Sequence, residues 1–246
     1  MNKKRRNGKI SLRVVVCVPA TLEGQINYRV SQFIRASHAV IEGVEIQPGR
    51  YPEDSRNTMT EMFFKRYPKA THLFWLDADT VPPPFAIERL AAHNRSVVAG
   101  LTPIFKEEDK TKWLWSVRLK NDDGVYIIPI YADLPAGLFR IESSGGTTML
   151  IQRKVIEQLA RMDCPIFWTE RDPETGKILL SEDFYFTDRI KELGYEIYAD
   201  PQVICCHYQT KDLLSLYLGM ADMINKVGWD KVRKNVMPLI QRTQQV

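Results

Sequence analysis

Three short stretches carry side chains able to do chemistry together: Asp77 and Asp79 in "LDADTV", Glu182 and Asp183 in "SEDFYF", and His207 in "VICCHY". The two aspartates close the apolar run Leu73–Leu76, where a carboxylate buried without a cationic partner costs several kcal/mol. Side chains alternate along a strand, so Asp77 and Asp79 are expected on one side of it and Ala78 on the other. Two carboxylates so placed can share a hard divalent cation and leave coordination positions for phosphate oxygens. The plain alternative is a strand that ends in two polar residues before the Pro82–Pro84 turn, and a lone DxD does not choose between them. Ser181 is expected as an N-cap, which puts Glu182 and Asp183 in a first helical turn, where the dipole favours anions for structural reasons alone. From that position a carboxylate could also take a proton from an acceptor hydroxyl in a cleft. His207 ends an apolar strand and is either an ordinary histidine or a neutral imidazole ligand.

Two smaller features belong with these. Arg56 and Asn57 fall in the first turn of an expected helix, where charge and backbone donors can hold phosphate. Gly145-Gly146 allows a tight turn or the close approach of backbone to a ligand.

The elements that must position these residues alternate regularly at first. "LRVVVCVPA" (12–20) is an apolar run typical of a strand buried on both faces, followed by helical spacing over 26–39 and a short strand from Gly43. A helix over 53–67 has Asp54 or Ser55 as its expected N-cap and Pro68 beyond its end. The "LFWLDAD" strand, the helix "PFAIERLAAH" and the strand "SVVAGLTPI" complete the alternation, which predicts α/β layering around a mostly parallel sheet. Beyond Ile104 the pattern is mixed. Two strands flank Asp123-Gly124, and a strand, a Gly-Gly turn, a strand and a helix span 138–162. A helix follows at 181–194, then a strand at 195–208, and residues 211–243 read as mainly helical.

Composition bounds the classes. A chain of 246 residues with 44% hydrophobic content supports one large core, and no apolar run approaches the about 20 residues of a membrane helix. The net charge of +4 is a property of the amino terminus: six basic residues and no acid stand in the first thirteen, leaving 28 basic against 30 acidic residues elsewhere. Such a tail is expected to be flexible, with contact to nucleic acid or anionic lipid as the rarer role. Cys17, Cys164, Cys205 and Cys206 have no CxxC spacing and are expected as reduced thiols of a cytosolic protein.

Taken in order, "VVVCVPA", "SRN", "LDADTVPPP", "SGGTTMLI", "SED" and a late strand histidine resemble the GT-A glycosyltransferases, especially the family 2-like enzymes, over Leu12 to Tyr208. The resemblance implies a Rossmann-like, mostly parallel sheet flanked by helices, with a mixed second half. On this plan 1–11 is a basic flexible tail, 12–208 the catalytic domain, and 209–246 a helical extension packed on it. It implies that Mn²⁺ or Mg²⁺ is held by Asp79 and His207, with Asp77 at the metal or the ribose. Ala20 and Thr21 would lie by the base of a nucleotide-diphosphate sugar, UDP-sugar in first place, with Arg56 and Asn57 near that nucleotide. Asp183 would be the general base of an inverting displacement, and Glu182 its orienting neighbour. The chain lacks the QxxRW motif and membrane helices of processive relatives, so single transfer is expected. The acceptor stays open between a saccharide and other hydroxyl compounds, including the hydroxymethylated DNA of phages. A bacterial or phage-infected cytoplasm is the expected location. The segment 168–183, rich in turn formers, is expected as a lid over bound donor. Two alternatives stand beside this. "LDADTV" also fits the DxDx(T/V) signature of haloacid-dehalogenase-type phosphatases, with Asp77 as nucleophile and Asp79 as acid/base. The fold could also serve as a nucleotide-sugar or nucleic-acid binding module without turnover.

Overall fold

The computed structural model describes residues 11–49, 51–106, 112–129 and 134–208, together with 220, 221, 224, 225, 228 and 229. The basic tail, apart from Ser11, and the C-terminal helical extension, apart from those few positions, lie outside the described residues.

The first half alternates as expected: β1 (Val14–Ala20), α1 (Tyr28–Ala36), β2 (Ile41–Pro48), α2 (Pro52–Arg66), β3 (His72–Leu76), the short β4 (Thr80–Val81), α3 (Ala86–Ala92) and β5 (Val97–Leu101). The second half is rich in strands, with β6 (Pro103–Lys106) against β7 (Lys112–Trp115) and β8 (Val117–Lys120) against β9 (Tyr126–Ile127). Next come β10 (Phe139–Ile141), β11 (Ser143–Ser144), β12 (Thr148–Gln152) and α4 (Arg153–Leu159). The hairpin of β13 (Glu170–Arg171) and β14 (Ile178–Leu180) leads into α5 (Glu182–Glu192), and β15 (Ile197–Ile204) and β16 (Cys206–His207) follow.

Seven strands make the central sheet, in the order β10-β15-β5-β12-β3-β1-β2. Five of them run one way: β1, β2 and β3 pair in parallel, as do β5 and β15, while β12 and β10 run against them. The sheet is therefore mostly parallel, with one antiparallel strand, β12, inserted between β3 and β5. Helices flank it, and two apolar layers cover its faces. β3 shows why the runs are continuous: Leu73 and Trp75 enter one layer, Phe74 and Leu76 the other, all fully buried. β1 divides in the same way, with Val15 and Cys17 on one face and Val14, Val16 and Val18 on the other.

Local signals set the edges of the elements. Asn27 caps α1 by accepting the Arg29 N–H at 2.9 Å. Pro52 sits in the first turn of α2, which starts earlier than its expected caps, with Tyr51 in the N-cap position. Gly124, at φ +76°, makes the turn between β8 and β9. All four cysteines are free, Cys205 buried and Cys206 exposed as strand alternation requires, and burial pushes the Cys205 thiol up to about 12. Among the described residues no helix is long and apolar enough to cross a membrane.

At the far side of the sheet from β1, α3 is pinned to β15 by a buried carboxylate. Asp200, 1% exposed, accepts from Arg89 Nε at 2.7 Å, His93 Nε2 at 2.8 Å and the Gln202 N–H at 2.9 Å. Burial raises the Asp200 pKa, but these donors outweigh it and hold the carboxyl below its ordinary value. The stabilisation is therefore present above the ordinary aspartate pKa and lost as pH falls through the lowered one. Asp200→Asn is expected to cost about 2 kcal/mol at pH 7, and the difference from the parent to shrink as pH falls below the ordinary aspartate pKa, by urea denaturation across that range.

Candidate functional site

β3 stops one residue before the DxD motif, and this divides the two aspartates. Asp77 keeps the parity of Leu73 and Trp75, so its side chain continues onto the face covered by α2, while its N–H donates to Thr147 O at 3.0 Å. The chain then turns, with Thr80 N–H donating to Asp77 O at 3.2 Å. Alternation predicted a shared direction for Asp77 and Asp79. Across the turn each has its own partner, Arg56 for Asp77 and His207 for Asp79, and both aspartates bear on the charge of His207.

Arg56 stands at the centre of the first group. It lies on the buried stripe of α2 with Ser55, Met59, Thr60 and Phe63, and is 3% exposed. Its guanidinium lies 5.1 Å from the Trp75 ring centre and 5.7 Å from that of Phe167, so both rings exclude water from it. Nη2 donates to Asp77 Oδ1 at 3.0 Å, and Nη1 reaches Gly146 O at 3.5 Å. Nε has no hydrogen-bond partner among the described residues but faces Glu182 Oε1 at 3.8 Å. One buried cation thus joins a carboxylate at a strand end to one at a helix start. Burial pushes both the Asp77 and the Glu182 carboxyls above the usual carboxylate range. Arg56 pulls each back, and neighbouring carboxylates, Asp183 among them, push each up again.

The helix start carries the second carboxylate, Asp183. Ser181 occupies the N-cap of α5 as expected, but its side chain caps no backbone N–H. Its hydroxyl donates instead to Asp183 Oδ1 in a short bond, and that oxygen also accepts the Phe184 N–H at 2.8 Å. Oδ1 is therefore committed to fixing the side chain, while among the described residues Oδ2 makes no hydrogen bond. A Cβ on Gly145 would stand 3.4 Å from Oδ2, and one on Gly146, at φ +65°, 3.2 Å from Arg56 Nη2. The glycine pair is thus the place where the backbone passes both Arg56 and Asp183 closely.

His207 arrives from the other end of the chain through β16, which pairs with β4 so that His207 lies opposite Thr80. Tyr208 N–H extends the contact to Asp79 O at 2.8 Å. His207 Nδ1 lies 3.0 Å from Pro103 O, and since a carbonyl only accepts, Nδ1 carries a proton. Nε2 then faces Asp79 Oδ2 at 3.4 Å. Burial lowers the His207 pKa, but the hydrogen bonds to Asp79 and Pro103 and the two aspartate charges more than offset it, leaving it above its ordinary value. A lone pair on Nε2 would repel the carboxylate, so the pair calls for a cation between them or a proton on Nε2. An imidazole fixed through Nδ1–H by a carbonyl, beside a 44% exposed carboxylate, suits a divalent ion that takes its remaining oxygens from phosphate and water. The protein's own donor set is small: among the described residues no three or more His, Cys, Asp or Glu side chains converge as a metal site.

The remaining candidates are placed as follows. Ala20 ends β1, and Thr21 Oγ1 accepts the Gln25 N–H at 3.1 Å in the loop that follows. That loop joins the DxD turn where Asn27 N–H donates to Ala78 O at 2.7 Å. Asn57 is engaged at both ends of its amide with the Phe167 backbone, at 2.9 and 3.0 Å, and so holds the segment before the β13–β14 hairpin. The sequence carried a signal for the central role of Arg56 that spacing from the helix start did not use. A charged residue on the apolar stripe of a helix must find buried anions. The hydroxyl network of Thr102 with Thr147 (2.7 Å) and of Ser116 with Thr102 N–H (3.3 Å), beneath the glycine pair, had no comparable signal.

No family model matches the sequence, and no curated protein matches it. Solved structures are similar in shape. A197 from STIV gives a TM-score of 0.56 at 18% identity, over 80% of this chain and 86% of that one. GalNAc-T7, solved with UDP, GalNAc and Mn²⁺, gives 0.49 at 14% identity, over 88% of this chain and 48% of that one. The inositol-1-phosphate CTP transferase from T. maritima gives 0.44 at 10% identity, over 87% of this chain and 97% of that one. The first likeness establishes a shared fold and nothing of activity, and the other two carry no argument at their scores.

Arg56→Met removes the cation and leaves Asp77 and Glu182 facing each other in a half-buried space. It is expected to cost about 3 kcal/mol at pH 7. Because both carboxyls already titrate high, they neutralise as pH falls, and the deficit should narrow between pH 7 and pH 4. Chemical denaturation of parent and variant across that range checks it.

Proposed function

We propose that the chain is a metal-dependent glycosyltransferase of the GT-A type, moving a sugar from a nucleotide-diphosphate sugar, UDP-sugar in first place, to an acceptor hydroxyl with inversion. The observation that supports it is the grouping of two dissimilar poles: the Asp79–His207 pair, suited to a cation, and Asp183 with one oxygen fixed and one available. Arg56 and Asp77 link the two sets. Ligands of open α/β sheets bind beyond the carboxyl ends of the strands, where the loop after β1 meets the DxD turn after β3 through Asn27 and Ala78.

In this account Mn²⁺ or Mg²⁺ on Asp79 and His207 supplies positive charge to the departing diphosphate. The chain's own part is positioning and proton transfer. Ser181 and the Phe184 N–H hold Asp183 by Oδ1, so Oδ2 takes the proton of the acceptor hydroxyl as that oxygen bonds to the anomeric carbon. The bond from that carbon to the diphosphate breaks on the opposite face, and its electron pair leaves with the nucleotide. Glu182, drawn towards Arg56, orients the helix start and keeps a second charge out of the path of the acceptor. Gly145 leaves room beside Oδ2.

The phosphatase assignment of "LDADTV" has the weaker support, because its nucleophile would be Asp77, whose Oδ1 is held by Arg56. The β13–β14 hairpin, closed by Asp172 Oδ1 accepting from Glu174 and Thr175, runs directly into Ser181 and is the lid of this proposal.

The test is nucleotide release from a panel of UDP-, GDP-, CDP- and TDP-sugars with Mn²⁺. A parent that turns over one of them should lose about a thousandfold in Asp183→Asn while still binding the nucleotide. Unchanged turnover in that variant removes Asp183 from the mechanism. Binding without turnover under all conditions favours the non-catalytic module.

A further inference from the structure

We infer that the surface centred on Trp168 binds a neutral saccharide. Its role as the acceptor subsite rests on the transferase proposal, whereas the binding itself does not. Trp168 is 53% exposed, and its backbone is anchored through its neighbour. The residue before it, Phe167, is clamped by Asn57 through two hydrogen bonds and stacked on Phe186 at 4.3 Å. A backbone already held in place costs less to order when the exposed indole on it binds a ligand.

Trp168 and Pro165 line two clefts, of about 360 and about 590 Å³, one on each side. The smaller also has Tyr51, Glu53, Thr169 and Arg171 in its wall; the larger has Tyr185, Asp188, Arg189 and Glu192. Both volumes lie in the range of small-ligand sites. Each cleft thus offers an aromatic face, which suits the C–H face of a sugar ring, beside carboxylates and a guanidinium, which suit its hydroxyls.

Charge decides between hydroxyl-rich and phosphate-rich occupants. Glu53, Asp54, Glu170, Asp188 and Glu192 stand in the two clefts against Arg171 and Arg189. An acidic excess repels a nucleic-acid backbone, whose affinity depends on cationic contacts, and leaves neutral saccharides unaffected. Position links the surface to the transfer site. Tyr185, Asp188, Arg189 and Glu192 recur at helical spacing along α5, whose first turn carries Glu182 and Asp183. Asn57, in the wall of the smaller cleft, follows Arg56 in α2.

The experiment is an NMR titration without metal or nucleotide, using cellobiose, maltose, lactose and chitobiose as probes and single-stranded oligothymidylate as the contrasting one. The Trp168 indole N–H signal is the one of five tryptophan signals missing in Trp168→Phe. At least one disaccharide should shift it saturably, and the affinity, read from the backbone amide signals of the neighbouring residues, should be roughly tenfold weaker in Trp168→Ala and in Glu53→Gln. The proposal is overturned if no disaccharide moves the signal, if Trp168→Ala binds as the parent does, or if oligothymidylate moves it and the sugars do not. Since donor and metal are absent, failure here leaves the donor chemistry standing, and failure of nucleotide binding leaves this saccharide site standing.

Discussion

A single buried guanidinium sets the terms for the rest of the site. Arg56 is almost without solvent, and its charge is tolerable there only because Asp77 and Glu182 approach it from two different elements. That requirement fixes α2, the end of β3 and the start of α5 relative to one another. It also leaves little room for a side chain at Gly146, whose φ of +65° already disfavours one. Trp75 and Phe167 complete the enclosure, and Phe167 in turn carries Trp168 to the surface. The carboxylates Asp77, Glu182 and Asp183 would repel one another without this cation, as their mutual effect on the first two carboxyl groups indicates.

Arg56 also separates roles that the DxD spacing merges. With Asp77 occupied, Asp79 is the aspartate that faces His207, and the two come from segments more than a hundred residues apart, joined by the β4–β16 pair. The cation-suited pole lies on a short strand and a turn, while the proton-accepting pole lies on the first turn of a helix and is hydrogen-bonded at one oxygen. Under the proposed chemistry this division is sensible. The metal end must accommodate a diphosphate that arrives and leaves, whereas a general base works best when held in one geometry.

Features governed by near neighbours were legible in the sequence. The apolar runs of β1 and β3, the acids after Ser181, the Gly124 turn and the alternation of Cys205 and Cys206 all follow from local pattern, and each stands in the structure. Features set by distant partners were not. The antiparallel direction of β12 cannot be read from a run that is apolar on both faces, because burial on both sides looks the same in either orientation. The different partners of Asp77 and Asp79 arise because a turn begins at Asp77, and alternation along a strand does not tell which partner each will meet. The bonds of the Asn57 amide to the Phe167 backbone, 110 residues away, likewise could not be read from the helix start. The basic tail and the basic C-terminal stretch fall outside the described residues, so the structure adds nothing to their reading.

The central claim is that Asp79 and His207 hold a divalent ion that in turn holds a nucleotide diphosphate. Calorimetric titration of UDP with and without Mn²⁺, on the parent and on Asp79→Ala, tests it most directly, with GDP, CDP and TDP following if UDP is silent. The account predicts binding by one of these nucleotides that requires the ion and disappears in the variant. Nucleotide binding that is indifferent to the metal, or equal in Asp79→Ala, would contradict it.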